Sequence, residues 1–194
     1  VDYRRLIITM AIRKVFLNPG HDPKLNGSGY AIDPGAVGSR TTEAEVVKKI
    51  GALVSQYLQA VGYETYIMQD DDLDAVCEAA NQWDADIFVS IHCNSAENPA
   101  AEGTETFTHT SAGPNSLSTK LAINIDNQLV NSLDLYDRGI KSANFWVLRK
   151  TDMPAVLVET AFINNPKEED KLINQVDEFA KAIARGISDT AAQV

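Results

Sequence analysis

The sequence predicts an α/β fold, in which a mostly parallel central sheet of about six strands carries helices on both faces. Short apolar runs alternate along the chain with segments whose apolar residues recur at three- and four-residue steps, as strands and helices do. The run Ile87–Ile91 is almost wholly apolar, which is typical of a strand buried on both faces. No internal repeat or low-complexity segment interrupts the alternation after residue 12, so we expect a single domain.

The first strand and the first helix enclose a long loop. The strand is expected at Arg13–Asn18 and ends at the Pro19-Gly20 turn. Residues 21–40 are rich in Gly, Pro, Asn and Asp and show no periodicity, and a structureless loop of about 20 residues usually belongs to a binding or active site. The helix is expected to start at Thr42, because an apolar stripe follows, and to end at Gly62.

The rest of the chain continues the alternation. Asn165-Pro166-Lys167-Glu168 has the pattern of a capping box with proline at the first helical position, so a helix should open there. The predicted elements are a strand at Glu64–Gln69, a helix at Leu73–Trp83, a strand at Ile87–Ile91, a more exposed strand at Thr104–Thr110, a helix from Leu117, strands at "NFWVLR" and "AVLVET", and a last helix reaching about Ser188.

Charge and composition exclude several classes of function. The formal net charge is −10, and nucleic-acid binding needs a basic face, so nucleic acid is not an expected partner. No apolar run approaches the roughly 20 residues that span a bilayer. Residues 1–12 are interpreted as vector-derived or linker sequence, and 13–190 as the domain. Cys77 and Cys93 are expected to be small buried hydrophobic residues and not a disulfide.

Three ionisable residues follow three of the predicted strands. His21 lies just past the first strand, His92 ends the apolar strand, and Glu159 ends "AVLVE". Sites in α/β sheets form beyond the carboxyl ends of the strands, so these side chains should meet at one edge. A carboxylate after so apolar a run is costly to bury without a partner, and a cation would be one. Imidazole and carboxylate suit zinc, which takes three protein ligands in catalytic sites.

Three residues are candidates for the third ligand. His109 lies in the middle of an alternating strand, where a solvent-facing role is the better interpretation. Glu43 and Glu45 both lie at the start of the first helix, where their charges also favour the helix dipole. With Thr42 as N-cap, Glu45 would complete a capping box and fold back onto the backbone, which leaves Glu43 free and makes it the better ligand.

Several segments resemble a known family when read together. "NPGHD", "TEAEVVKKI", "ADIFVSIHCNS", "DRGIKSANFWVLR" and "MPAVLVETAFINNPKE" are similar, in order from about Lys14 to Ile187, to the zinc-dependent N-acetylmuramoyl-L-alanine amidases, a family that includes autolysins and phage endolysins. The resemblance implies one zinc ion bound by His21, Glu43 and His92, with Glu159 as the catalytic acid/base. The segment that leads to the ligand glutamate reads "SRTTE" here and differs from the family's usual "GLxE"-like sequence. Glu45 therefore remains an alternative ligand.

The resemblance also implies an activity and a substrate. The expected reaction is hydrolysis of the amide bond between N-acetylmuramic acid and L-alanine in peptidoglycan, by a monomer acting at the cell envelope or outside the cell. Asn94, Asn144 and Arg149 lie near the same strand ends and are candidates for substrate contact. The alternatives are a non-catalytic peptidoglycan-binding domain, and a zinc peptidase that cuts within the stem peptide.

Overall fold

The protein is built around a six-stranded sheet with the strand order β4-β1-β5-β8-β6-β7. The computed structural model describes residues 11–29 and 31–194. Residues 1–10 of the predicted vector or linker segment lie outside this range, so that interpretation stays a prediction. The strands are β1 (Lys14–Pro19), β4 (Glu64–Ile67), β5 (Ile87–Asn94), β6 (Thr104–His109), β7 (Asp137–Ala143) and β8 (Ala155–Phe162), and a separate hairpin is formed by β2 (Asp22–Leu25) and β3 (Ala31–Asp33).

The sheet is mostly parallel, as predicted. Strands β4, β1, β5 and β8 run in one direction, β6 is antiparallel to β8, and β7 is parallel to β6. The helices are α1 (Glu43–Ala60), α2 (Leu73–Gln82), α3 (Leu117–Leu133), α4 (Trp146–Lys150), α5 (Pro166–Asn174) and α6 (Val176–Ala191). In the described part of the chain, no helix is long and apolar enough to cross a membrane.

The two faces of the sheet carry separate apolar cores. Successive side chains of a strand point to opposite faces, so Val15 and Leu17 pack with α1, α3 and α6, while Phe16 packs on the other face. That second face, shared with Phe88 and Leu157, is covered by the shorter helices α2 and α4. Because α2 and α4 are short, the ends of the strands on this face stay accessible. Cys77 and Cys93 are buried and free, as predicted.

Four residues of the segment "NFWVLR", from Trp146 onward, lie in helix α4, so its prediction as a strand was wrong. Aromatic and β-branched residues favour strands when the sequence is considered alone. In the structure the preceding strand is β7, and Val147 and Leu148 of α4 are buried against the second core. Burial of these two apolar residues against the second core overrides the local preference.

Three further predictions needed correction. The strand at Thr104–Thr110 is not exposed, since β6 lies between β8 and β7 and most of its residues are buried. The last helix is two helices, because the chain breaks at Gln175 between α5 and α6. Residues 21–40 are not structureless, since they contain the β2–β3 hairpin. Asn165 caps α5 as predicted, accepting hydrogen bonds from the backbone N–H groups of Lys167 and Glu168. The predicted capping box is incomplete, because the carboxylate of Glu168 accepts from Gly103 N and Phe162 N and not from Asn165 N.

Candidate active site

The structure brings His21, Glu43 and His92 together at the carboxyl edge of the sheet. His21 follows β1, His92 lies near the end of β5, and Glu43 is the first residue of α1. One ligand atom from each of the three side chains lies within 4.8 Å of the other two. His21 Nε2 is 3.1 Å from Glu43 Oε2, and His92 Nδ1 is 2.9 Å from Glu43 Oε1. The carboxylate of Glu43 is therefore the centre of the cluster.

His21 is fixed by the turn before it and by the hairpin after it. Its backbone has φ 64°, in the left-handed region that few residues other than glycine adopt. Its Nδ1 is hydrogen-bonded to Asp33 Oδ2 at 2.7 Å, and Asp33 lies opposite Asp22 in the hairpin. Burial lowers the pKa of His21, but the hydrogen bonds to Glu43 and Asp33 outweigh it and raise the pKa to about 9. A carboxylate on the second ring nitrogen is the usual way to orient a metal-binding histidine.

Glu43 is held by backbone N–H groups from two other segments. Its Oε2 accepts a hydrogen bond from Ala36 N at 2.8 Å, and its Oε1 accepts one from Cys93 N at 2.9 Å. Burial works against its ionisation, but the hydrogen bonds with His21 and His92 lower its pKa well below the ordinary range. Glu43 is thus an ionised, almost fully buried carboxylate whose position is set by the fold.

Two glycines make room for the cluster. A Cβ atom at Gly20 would overlap the ring of His92, so the Pro19-Gly20 turn lets that imidazole pack directly on the backbone. Gly35 has φ +64°, and a Cβ there would lie 2.5 Å from His21 Cδ2 and 2.6 Å from Glu43 Oε2. Both positions therefore require glycine.

Gln69, just after β4, ties the segments of two cluster residues together. Its side-chain nitrogen donates to the carbonyl oxygen of Gly20 at 3.0 Å and to that of Ala44 at 2.9 Å. Gly20 precedes His21 and Ala44 follows Glu43. One amide group thus fixes the backbone on both sides of the cluster.

Glu159 lies beside the cluster without a comparable set of partners. It is paired with His92 across β5 and β8, so the two side chains share a face of the sheet. Its buried Oε2 has no hydrogen-bond partner among the residues that the structure describes. Burial raises the pKa of Glu159 to about 7, with the charge of His92 opposing the rise and the charges of Glu43 and Glu105 adding to it. The surroundings of Glu159 thus disfavour its ionised form, in contrast to those of Glu43.

The donor set of the cluster fits a zinc ion. Two imidazoles and one carboxylate are zinc ligands, and catalytic zinc sites commonly combine two histidines with a glutamate. A bound cation would replace the hydrogen bonds that join the two imidazoles to Glu43. Burial of Glu43 without a lysine or arginine partner in the described chain also favours a cation at this position.

The cluster opens into a cleft of about 340 Å³ on the face covered by α2 and α4. Its lining includes His21, His92 and Glu159, with Phe145 and Trp146 on one wall. Acidic residues line another part of the rim, namely Asp33, Asp70 and Asp71. Asp70 also belongs to a second acidic group with Asp22, and Lys24 forms ion pairs with both at 3.2 Å and 3.3 Å.

The chain matches a protein family along almost its whole described length. The family model, described as N-acetylmuramoyl-L-alanine amidase, covers residues 15–189. The chain belongs to this amidase family.

Curated relatives and solved structures agree with this assignment. N-acetylmuramoyl-L-alanine amidase LytC of Bacillus subtilis is 35% identical over 179 residues, which are 89% of this chain and 34% of that protein, so the chain spans about a third of its length. The amidase AmiC2 of Nostoc punctiforme superposes with TM-score 0.80 at 32% identity, covering 91% of this chain and 96% of that one. The catalytic domain of the amidase CwlV from Bacillus (Paenibacillus) polymyxa gives the same TM-score and identity over 97% of its length.

Glu45 lies outside the cluster of this amidase-family chain. It is exposed, and its Oε2 accepts a hydrogen bond from Thr41 Oγ1 at 3.3 Å. The predicted capping box is absent, because Thr42 is the N-cap of α1 but its side chain makes no capping hydrogen bond. Glu43 was thus preferred for a reason that the structure does not support. Glu43 is oriented by Ala36 and Cys93, which the sequence did not indicate.

The other predicted residues are not in the lining of the cleft, and His109 and Arg149 line a separate pocket. Asn94 donates to Glu105 Oε1 at 2.8 Å. His109, half-buried at the end of β6, is hydrogen-bonded through Nε2 to Asn144 Oδ1 at 3.2 Å. Arg149 is exposed on α4, with its guanidinium 4.5 Å from the centre of the Trp146 ring. Substrate contact by Asn94, Asn144 and Arg149 stays a prediction.

Two positioning residues were missed by the sequence analysis. Asp33 was part of a loop that offered no pattern, and only the pairing of β2 with β3 places it beside His21. Gln69 was assigned to the end of a strand, and a polar residue directly after a strand was the one available signal. Since β4 neighbours β1, that position faces the same edge as His21.

Proposed function

We propose that this chain hydrolyses the amide bond between N-acetylmuramic acid and L-alanine in peptidoglycan. In this proposal one zinc ion is held by His21, Glu43 and His92, and Glu159 is the catalytic acid/base. The observation that carries the proposal is the His21–Glu43–His92 cluster beside a buried carboxyl group with an unpartnered oxygen, at the floor of an open cleft. The likeness to cell-wall amidases supports the substrate and an action at the cell wall.

The bound metal and the side chains have separate tasks. A zinc ion at this site would lower the pKa of water toward neutrality and polarise the substrate carbonyl. Asp33 keeps the ring of His21 oriented, and the N–H groups of Ala36 and Cys93 keep the carboxylate of Glu43 in place. Because these partners come from the rigid backbone or from a short hairpin, the ligand positions are set before any substrate arrives.

Glu159 moves the proton. As a carboxylate it accepts a proton from the attacking water, and as a carboxylic acid it returns that proton to the leaving nitrogen of L-alanine. Burial raises the pKa of Glu159 to about 7 and a zinc ion at the cluster would lower it, and these opposing effects let the group be ionised at rest and still carry a proton during turnover. Glu159 lines the cleft, where water and the leaving amine would bind.

Identification of the released products tests the reaction. Purified peptidoglycan digested with zinc-loaded protein should yield glycan strands with free lactyl carboxylates and stem peptides that begin with a free L-alanine amine, both identifiable by mass spectrometry. Stem peptides cut at an internal bond would identify a zinc peptidase instead. Binding to peptidoglycan without any released product would identify a non-catalytic module.

Elemental analysis tests the metal. The protein should bind one zinc per chain, and His92→Ala should retain little of it. His109→Ala is the matched control, because His109 is bonded to Asn144 and lies away from the cluster, and it should retain the full amount. Full zinc occupancy in His92→Ala would contradict the assigned ligands.

A further inference from the structure

A row of charged side chains crosses the sheet beside Glu159. Glu159 is paired with His92 of β5 on one side and with Glu105 of β6 on the other, so all three side chains point to the cleft face. Lys141 of β7 is level with Phe107, two residues after Glu105, and therefore shares that face. The row thus runs from the proposed metal ligands to two cations on β7, Arg138 and Lys141.

Glu105 holds both cations. It is 5% exposed, and its Oε2 accepts hydrogen bonds from Arg138 Nε at 2.8 Å and from Lys141 Nζ. Asn94 donates to its other oxygen at 2.8 Å. Burial opposes the ionisation of Glu105, but the hydrogen bonds from Lys141 and Arg138 outweigh it and lower its pKa. The cations are consequently fixed in position.

This group carries one positive charge in excess. Within residues 11–29 and 31–194, Glu105 is the sole carboxylate in ion-pair distance of either cation, so two positive charges face one negative charge. The side chains of Arg138 and Lys141 are 31% and 39% exposed, so both reach solvent. In a chain of net charge −10, a fixed and accessible positive charge next to the reacting centre is unusual.

The opposite end of the same face is acidic. Asp33, Asp70 and Asp71 line the cleft beyond His21. A bound substrate that carries a carboxylate is therefore repelled at the β4 end and attracted at the β7 end. This asymmetry favours one orientation of an anionic peptide across the strand ends.

The distances suit a carboxylate one residue beyond the scissile bond. Neighbouring strands lie about 4.8 Å apart, so β7 is roughly 10 Å from β8, and the lysine side chain reaches back to Glu105 on the strand between them. A peptide covers about 3.5 Å per residue. The α-carboxylate of the second stem-peptide residue, a γ-linked D-glutamate, would then reach Lys141 while the L-alanine amide lies at Glu159.

We propose that Lys141, with Arg138, forms a subsite for the α-carboxylate of the second residue of the stem peptide. The subsite rests on the proposed amidase function, and it makes Lys141 a determinant of substrate specificity. A carboxylate is preferred over a carboxamide because a charge-assisted hydrogen bond is roughly twice as strong as a neutral one.

Two substrates and three variants test the subsite. The substrates are soluble glycan fragments bearing L-Ala–D-Glu or L-Ala–D-isoglutamine, in which a carboxamide replaces the α-carboxylate. The zinc-loaded protein should prefer the carboxylate about tenfold in kcat/KM. Lys141→Met should remove this preference by raising KM for the carboxylate substrate about tenfold with little change in kcat, while Lys141→Arg should keep it. Lys49→Met, an exposed lysine on α1, is the control and should behave as the unmodified protein.

The outcomes distinguish a failure of the proposed carboxylate subsite from a failure of the proposed amidase activity. Lys141→Met leaves Glu105 bonded to Arg138 and Asn94, so the variant should keep its fold, which thermal unfolding would verify. Equal use of both substrates by the unmodified protein, or an equal loss on both in Lys141→Met, would overturn the subsite while leaving the amidase proposal intact. Failure of folded, zinc-loaded protein to cleave either substrate would overturn the amidase proposal and the subsite with it.

Discussion

Glu43 and Glu159 are both largely buried carboxylates at the same edge of the sheet, yet their surroundings differ in almost every respect. Glu43 contacts two imidazoles and two backbone N–H groups, and its pKa is lowered. Glu159 has an oxygen without a partner among the described residues, and burial raises its pKa to about 7. The difference matches the separate roles proposed for them, a metal ligand for Glu43 and a proton carrier for Glu159.

The contrast follows from where the two residues lie on their elements. Glu43 begins α1, and its carboxylate accepts hydrogen bonds from Ala36 N in the preceding loop and from Cys93 N in β5. Glu159 lies within β8, where the backbone N–H groups are already used by the sheet and its neighbours across the strands are His92 and Glu105. Partners therefore stabilise Glu43 as an anion, and Glu105 of β6 shows that a strand carboxylate can be stabilised in the same way, but Glu159 lacks such partners in the described chain.

The largest expected effect comes from removing the proton carrier. Glu159→Gln keeps the size of the side chain but cannot accept or return a proton, so turnover on peptidoglycan should fall by at least about a hundredfold. Zinc content and thermal stability should stay near those of the unmodified protein, because Glu159 is outside the metal cluster. Turnover close to normal would show that Glu159 is not the acid/base, and the proposed difference in role between Glu43 and Glu159 would be lost.

The second test replaces each of the two glutamates of α1 with glutamine, in separate variants. Glu43→Gln removes the charge at the centre of the cluster, so its affinity for zinc should fall by more than the roughly 10–100-fold typical of an outer-shell change. Glu45→Gln is the matched control and should bind zinc normally, since Glu45 is exposed and bonded to Thr41. Isothermal titration with zinc measures both, and the reverse pattern would transfer the ligand role to Glu45.

A smaller effect on zinc affinity is expected from Asp33, which is hydrogen-bonded to the proposed ligand His21. Asp33→Asn keeps a hydrogen-bond acceptor beside His21 Nδ1 but removes the negative charge, so zinc affinity should fall about tenfold. Asp71→Asn removes a charge from the same cleft without touching a hydrogen-bond partner of His21, and should leave zinc affinity nearly unchanged. Equal losses in the two variants would mean that the overall charge of the cleft, and not the orientation of His21, controls metal affinity.

The sequence predicted which strand ends meet, because strand order along the chain and the rule for parallel sheets place His21, His92 and Glu159 at one edge. It did not predict what surrounds them. The N–H groups that fix Glu43 come from Ala36 and Cys93, segments whose approach depends on the complete fold. Helix α4 was missed for the same reason, since burial of Val147 and Leu148 against the second core outweighs local propensity.

A third buried carboxyl group, that of Asp126, also has a raised pKa, as Glu159 does, but it lies outside the cleft. Asp126 of α3 is 3% exposed and accepts a hydrogen bond from Thr106 Oγ1 at 3.3 Å. Burial, with the nearby charge of Asp137, raises its pKa from 3.8 to about 7. Thr106 points to the opposite face of the sheet from Glu105, so Asp126 lies away from the cleft. A raised pKa without access to the cleft should affect stability and not turnover.

Asp126→Asn tests that distinction, and it has the smallest expected effect on turnover. Because the folded protein binds this proton more tightly than the unfolded chain, the stability it contributes is complete below about pH 4 and is lost as the pH rises through about 7. Asn cannot ionise and can still accept from Thr106, so the stability of the variant relative to the unmodified protein should rise by about 4 kcal/mol between pH 4 and pH 8. Urea unfolding at the two pH values measures this, and turnover should change less than about twofold. A loss of turnover like that of Glu159→Gln would show that buried carboxyl groups on either face support the reaction, and that position in the cleft is not what distinguishes Glu159.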